Sequence, residues 1–378
     1  MLAVFRKVRG LLANGGMRSV GLVVGTCAVA IPTYAYWHST RPRADPPLVH
    51  IRIHGKLRAL QSHIPGAMNI RYYGRAAQVS VPLPRKPQLL RTMPGYEHAV
   101  VVLCYHEISP KPHNRYTVTP AAFAAQMASL RASGFHTITG STFAALVRGA
   151  RVSLPPRPLF ITFDDGAKGT WIYADRILRR LSFTATVFLI TGDVAHHQPY
   201  YLDWAEVEAM GRSGRWGFGS HTYAGHGLVT TDRAGHVGPF LTNRVWLSGA
   251  KRMETLAEYR TRVSRDILRS VSDIEVHGLP VPRFFAYPFS ASVNPTDDPR
   301  TLPVLKRLLA KRFSALMDNS GHPTLARPGM LGPLPRVEVF HGEQAGRLLA
   351  RVRDSIVRRP RRVVKTGCTY VRGHWICR

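Results

Sequence analysis

The chain has 378 residues, 45% of them hydrophobic, and a formal charge of +30. That is enough apolar material for one large domain or two small ones. The charge would suit nucleic acid, anionic lipid or an acidic polymer. Zinc-finger spacing, RNP-type aromatic motifs and basic helices running into heptads are all missing from the sequence, so nucleic acid is not expected as a partner. The surplus is uneven. Residues 1–97 hold 14 Lys and Arg against 2 Asp and Glu, and residues 343–378 hold 10 against 2, which puts +20 of the +30 in the flanks. A solvated basic tail is the plain reading of such flanks.

In chain order, a basic N-terminus (residues 1–18) precedes "SVGLVVGTCAVAIPTYAYW" at 19–37, which carries no charge. Nineteen residues just span ~30 Å of hydrocarbon. Arg6, Lys7, Arg9 and Arg18 lie before the segment, and Tyr34, Tyr36 and Trp37 close it. This predicts a transmembrane anchor, or a signal segment, with the bulk of the chain extracytoplasmic, in the periplasm or at the cell surface. Residues 38–97, with "RPRADPP" and "VPLPRKPQ", read as a Pro-rich basic lead-in or linker.

From residue 98 strands and helices alternate. "HAVVVLCYHEI" is a strand, and "TPAAFAAQMASLRASG" a helix capped by Thr119 and ended by Gly134. The strand "FHTIT" is followed by the strand "PLFITF", the helix "GTWIYADRILRRLS", the strand "TATVFLI", the helix "DWAEVEAMGRSG" and the strand "WGFGS". The long amphipathic helix "TLAEYRTRVSRDILRSVSDIEVHG" leads to the strand "PRFFAYPF", and "LPVLKRLLAKR" and "GEQAGRLLARVRDSIV" are further helices. The alternation predicts parallel βαβ units, hence an α/β barrel or a doubly wound sheet. Neither GxGxxG nor GxxxxGK[ST] occurs, so no phosphate-binding fingerprint is present.

Three places carry chemistry. Asp164 and Asp165 stand side by side where "PLFITF" ends, with no cation beside them in sequence; a metal ion would resolve their repulsion. His221 and His226 sit five apart in the glycine-bearing turn "HTYAGH" after "WGFGS". With one Asp they would make a His₂Asp metal site that leaves positions open for water and substrate. His106 ends the first strand; period-2 alternation puts it on the face of Cys104, which reads as core filling, and puts Tyr105 on the other. His196 and His197 read as exposed loop histidines. Cys368 and Cys377, nine apart near the C-terminus, are candidates for a disulfide in an oxidising compartment.

"TFDDG" and "SHTYAGH" resemble the first two motifs of the NodB-type polysaccharide deacetylases, carbohydrate esterase family 4. The likeness runs over about residues 98–342. It is greatest to the circularly permuted poly-β-1,6-N-acetylglucosamine N-deacetylases, in which a Tyr-His strand like "LCYHEI" precedes the Asp-Asp motif, a stretch like "YTVTPAAFAAQMASLRASGF" lies between, and the metal histidines are likewise five apart. The resemblance implies a distorted (β/α)₇ barrel over 98–342, followed by a basic C-terminal helix and tail at 343–378. It implies one divalent metal, zinc first with nickel or cobalt as alternatives, held by Asp165, His221 and His226. Asp164 would then be the general base and His106 the general acid. Tyr105, Tyr287 and Pro288 fall in motif positions as supporting residues. In the third motif, "RFFAYPFS", Ala286 stands where the family often has arginine and Ser290 where it has glycine. The base therefore needs another cation, for which Arg336 in "LPRVEV" is the candidate ahead of Arg283. The expected function is N-deacetylation of an N-acetylglucosamine polysaccharide outside the cytoplasm, beside a membrane and a polysaccharide synthesis or export machinery. The alternatives are peptidoglycan or chitin oligomers as substrate, or a catalytically idle barrel that binds surface glycan.

Overall fold

The computed structural model describes residues 78–90, 92–195, 200–292, 296, 298–320 and 322–357, with the backbone of two further strands at Cys368–Val371 and His374–Cys377. Its centre is a ring of parallel strands: β1 (Val101–Tyr105), β2 (Pro158–Phe163), β3 (Ala185–Leu189), β4 (Trp216–Ser220), β5 (Phe284–Ala286) and β6 (Ala315–Asp318). The last member, β7, is Leu334–Pro335 and Val337–Glu338 with Arg336 between them. Its first half pairs with β6 and its second with β1, so one extended segment joins the two edges of the sheet. This nearly closes the sheet into a barrel. Successive strands of the ring are hydrogen-bonded neighbours in the sheet.

Alternation sorts the side chains into two layers. Val102, Phe160, Phe188, Phe284, Ala286, Met317 and Leu334 fill the barrel, where Phe143 and Phe160 stack with ring centroids 4.3 Å apart. Val101, Leu103, Tyr105, Ile161, Phe163 and Val187 point outward to the helices. The helices are α1 (Pro120–Ala132), α2 (Gly140–Val147), α3 (Asp175–Arg180), α4 (Trp204–Arg212), α5 (Leu256–Val276), α6 (Thr301–Ala310) and α7 (Ala345–Val357). Caps read from sequence are present: the Thr119 side chain accepts from Ala122 N, and Gly134 follows α1 with φ +83°. Asp203 with Glu206, and Thr255 with Glu258, form capping boxes that start α4 and α5.

Two expectations change. Residues 78–90 and 92–97, expected as a loose lead-in, lie against the helices: Val81 and Met93 join the core, Gln88 N donates to Ser129 Oγ, and Arg157 donates to Met93 O. Extended proline-bearing chain lends itself to this, because its backbone groups stay free to bond to neighbouring side chains. The helix expected in the basic tail, α7, belongs to the barrel's outer layer. Leu348, Leu349 and Val352 are fully buried, each contributing about 1.5–3 kcal/mol. Among the described residues no helix is long and apolar enough to cross a membrane; the expected anchor at 19–37 lies outside them, as do His196 and His197. The backbone of the C-terminal pair of strands sets Cys368 opposite Cys377.

Candidate active site

The chemistry-bearing residues gather at the C-terminal ends of the strands, the end where such barrels build their sites. Asp164 N donates to Tyr105 O (2.8 Å), tying the end of β2 to β1. Asp165 and Gly166 then take left-handed conformations, φ +69° and +81°. The non-glycine residue costs about 1 kcal/mol there, and aspartate is among the residues that tolerate it. The resulting sharp turn sends two adjacent carboxylates to different partners, which removes their mutual repulsion.

Asp164 points into the barrel and is 2% exposed. Arg336, equally buried, grips it at both oxygens: Nη1 to Oδ1 at 2.7 Å and Nη2 to Oδ2 at 2.6 Å. Burial pushes the carboxyl up, but the guanidinium outweighs it and holds Asp164 below the usual carboxylate range. The cation missing at Ala286 is thus supplied from β7, and Arg283 is exposed at the opposite end of β5. Beneath the pair lies Cys104, its Sγ 3.5 Å from Asp164 Oδ2 and its thiol pushed up by burial.

Asp165 Oδ1 faces His221 Nε2 and His226 Nε2, each at 3.4 Å. His221 Nδ1 lies 2.8 Å from Ala286 O, a contact that requires Nδ1 to carry the proton and leaves a lone pair on Nε2. The turn bearing the histidines is anchored on both sides. Asp266 on α5 accepts from Tyr223 N (3.1 Å) and Ala224 N (2.8 Å), and Gly192 N donates to Tyr223 O (2.9 Å). Asp165 Oδ1 is buried and takes no hydrogen bond. A buried, unpaired carboxylate oxygen facing two imidazole nitrogens is the donor set of an open divalent-metal site, so these residues fit such an ion.

His106 closes the other side. Its Nε2 is 4.0 Å from Asp164 Oδ2 and 3.8 Å from Glu338 Oε1, and its ring lies 4.6 Å from that of Tyr116. Glu338 is held by Asn319 Nδ2 (2.8 Å), and Asn319 Oδ1 accepts from Arg336 Nε (2.8 Å). Hydrogen bonds thus run Asp164–Arg336–Asn319–Glu338, and His106 lies at ion-pair distance from Glu338. Sequence reading missed Asn319 and Glu338. Alternation from Arg336 would have placed Glu338 on the same face; Asn319 left no signal. Two motif residues do not join the site. Tyr105 turns outward, edge-on to Phe123 at 5.1 Å with its hydroxyl donating to Gln126 (2.9 Å). Tyr287 packs outward with Phe285, Tyr259 and Leu305. Both sit at odd positions relative to the inward residues of their strands. Pro288 is buried in the 3₁₀ turn Pro288–Ser290, where Phe289 and Ser290 hold φ +56° and +53° and the Phe289 ring lies 4.6 Å from His226.

Residues 151–308 match the family model described as polysaccharide deacetylase. Over that stretch the chain is similar to the polysaccharide deacetylases. The match holds Asp164, Asp165, His221 and His226, while His106 and Arg336 reach the same cluster from either side of it in sequence. The chain is 22% identical over 306 residues to the poly-β-1,6-N-acetyl-D-glucosamine N-deacetylase of Escherichia coli K12, covering 77% of this chain and 44% of that one. It is 26% identical over 155 residues to the protein of the same name from Staphylococcus aureus MRSA252, covering 36% and 53%. It thus spans about half the length of these relatives or less. Its fold is shared with the BpsB deacetylase domain from Bordetella bronchiseptica (TM-score 0.54, 21% identity, 66% of this chain and 98% of that one). The de-N-acetylase from Aggregatibacter actinomycetemcomitans is similar too (0.53, 17%, 64% and 95%).

Proposed function

We propose that this protein is a divalent-metal-dependent hydrolase that removes N-acetyl groups from an N-acetylglucosamine polymer, of the poly-β-1,6-linked type, on the extracytoplasmic side of a membrane. The observation that carries this reading is the convergence of Asp165, His221 and His226 beside an Arg-paired Asp164 and a part-buried His106. The names of the relatives favour the polymer, and the uncharged segment at 19–37 favours the location. A polysaccharide synthesis or export machinery is the expected neighbour.

A cation held by Asp165, His221 and His226, zinc foremost, would polarise the amide carbonyl and acidify the attacking water. Asp164 takes the water's proton. Arg336 keeps it anionic and aimed, and Oδ1 retains a lone pair beyond the one Arg336 occupies. His106 delivers a proton to the departing nitrogen from the opposite side. Positioned acid and base each contribute about 10²–10⁴-fold. The rival reading, an idle glycan-binding barrel, drew its support from the missing arginine at 286; the Arg336–Asp164 pair speaks for the catalytic one.

The test is acetate release from a β-1,6-linked N-acetylglucosamine oligomer, together with metal content. Asp164→Asn should keep its metal and lose at least about a hundredfold in rate; His221→Ala should lose the metal itself. Acetate release by Asp164→Asn at the parental rate would overturn the role given to Asp164. No release from any acetylated glycan would overturn the function.

A further inference from the structure

Arg115 stands at the rim of the site with no carboxylate paired to it among the described residues. Its guanidinium carbon lies 4.5 Å from the Phe340 ring centroid and 5.0 Å from that of Tyr116, and the Tyr116 ring in turn packs on His106. The loop that presents it is fixed: His341 N donates to Arg115 O (2.8 Å), and Tyr116 N donates to Asn114 Oδ1 (2.7 Å). Three other cations are committed. Arg336 holds Asp164, Lys168 is shared between Asp203 and Glu206, and Arg269 pairs with Asp273. Arg115 is exposed, and its charge reaches the site, where it opposes the burial that raises the Glu338 carboxyl.

A guanidinium held against ring faces on one side keeps N–H donors free on its outer side. That geometry suits a two-pronged grip on a carboxylate or phosphate. The wider charge agrees. Outside the basic flanks, residues 98–342 still hold 28 Lys and Arg against 18 Asp and Glu. A neutral polymer gains little from such a field, and a deacetylated, cationic one is repelled by it.

We infer that Arg115, lying against the adjoining rings of Tyr116 and Phe340, recognises an oxyanion substituent on the glycan, one sugar away from the N-acetyl group that is cut. This rests on the deacetylase reading and narrows its substrate to an anionic N-acetylhexosamine polymer. Arg115 binds and orients; it takes no part in proton transfer.

The test compares three pentamers of β-1,6-linked N-acetylglucosamine: neutral, O-carboxymethylated and O-phosphorylated. With the full chain at low salt, kcat/KM should favour a charged pentamer by about tenfold, through KM. The preference should shrink at 0.5 M salt. In Arg115→Gln the charged-to-neutral ratio should fall close to one, with Arg115→Lys between. Which charged pentamer is preferred identifies the anion. A parent with no preference, or a preference that survives in Arg115→Gln, would overturn the inference. Equal losses on all three pentamers would also overturn it, by assigning Arg115 a purely structural role. Calorimetric affinities for the same pentamers need no turnover. If binding shows the preference but no acetate appears, the deacetylase reading fails and the anion site stands.

Discussion

Replacing Arg336 by methionine isolates the buried ion pair. Methionine fills most of the volume, so the change removes charge and hydrogen bonds more than packing. Arg336 gives Asp164 two charge-assisted bonds and also donates to Asn319 and Thr162, all within a region almost closed to water. Removing one partner of a buried pair costs about 3–5 kcal/mol, because the remaining charge is stranded. The pH dependence separates this from simple loss of packing. In the parent, Asp164 lies below its usual range, so its contribution is present above about pH 3.9 and is lost only as pH falls through the lowered folded value. In Arg336→Met, burial is opposed only by the weaker pull of His221 and His106, and the carboxyl rises. Its contribution is then present at low pH and lost as pH rises through the raised value, by about 1.4 kcal/mol per pH unit. The deficit against the parent should therefore be about 3–5 kcal/mol at pH 8 and smaller by at least about 1.5 kcal/mol at pH 5. Groups that titrate in both proteins, such as Glu107, raised to about 8 by burial, cancel in the difference. Urea midpoints at the two pH values measure it, with Asp164→Asn added in the Arg336→Met background to recover part of the loss. Equal deficits at both pH values, or a deficit under about 1 kcal/mol, would refute the argument.

Asp266 is 7% exposed, and burial raises its carboxyl to about 6, against the pull of the backbone donors of Tyr223 and Ala224. A raised carboxyl contributes stability below its unfolded value that is lost as pH rises through the folded one, so the parent should lose about 2–3 kcal/mol between pH 4 and 7 from this group; Asp266→Asn should flatten that part of the stability profile, and an unchanged slope would speak against it. Gly192→Ala would set a Cβ 2.5 Å from Tyr223 O. The histidine turn must then shift, and zinc titration should show a weaker site, by tenfold or more at about 1.4 kcal/mol per decade, with the barrel still folded by circular dichroism. Glu338→Gln removes the carboxylate 3.8 Å from His106 but keeps a partner for Asn319. Acetate release should fall about tenfold with metal content unchanged, and parental activity would remove Glu338 from the proton-handling chain.

Much of the barrel was legible because strands and helices carry local periods. "VVLCY" and "PLFITF" announce buried strands, Thr119, Asp203 and Thr255 announce helix starts, and Asp164, Asp165, His221 and His226 stand out as reactive residues at strand ends. What escaped was short or long-range. The eight-residue α2 passed unread, as did the four-residue β6. β7, broken by an arginine, has no period to detect. The outward turn of Tyr287 follows from its position just after β5, out of phase with Phe284 and Ala286, which needs the strand's limits to be known.

By itself the sequence determined the alternation of elements, the residues able to bind a cation or move a proton, and the need for a cation beside Asp164. Only the tertiary structure decided that Arg336 meets that need, that Asn319 and Glu338 lie between it and His106, and that Arg115 stands at the rim with no carboxylate paired to it among the described residues. The reason is physical. A period or a cap is set by backbone geometry within a few residues, whereas the meeting of Asp164 with a residue 172 positions later requires the ring to close. That closure is written in the packing of seven strands rather than in any one of them.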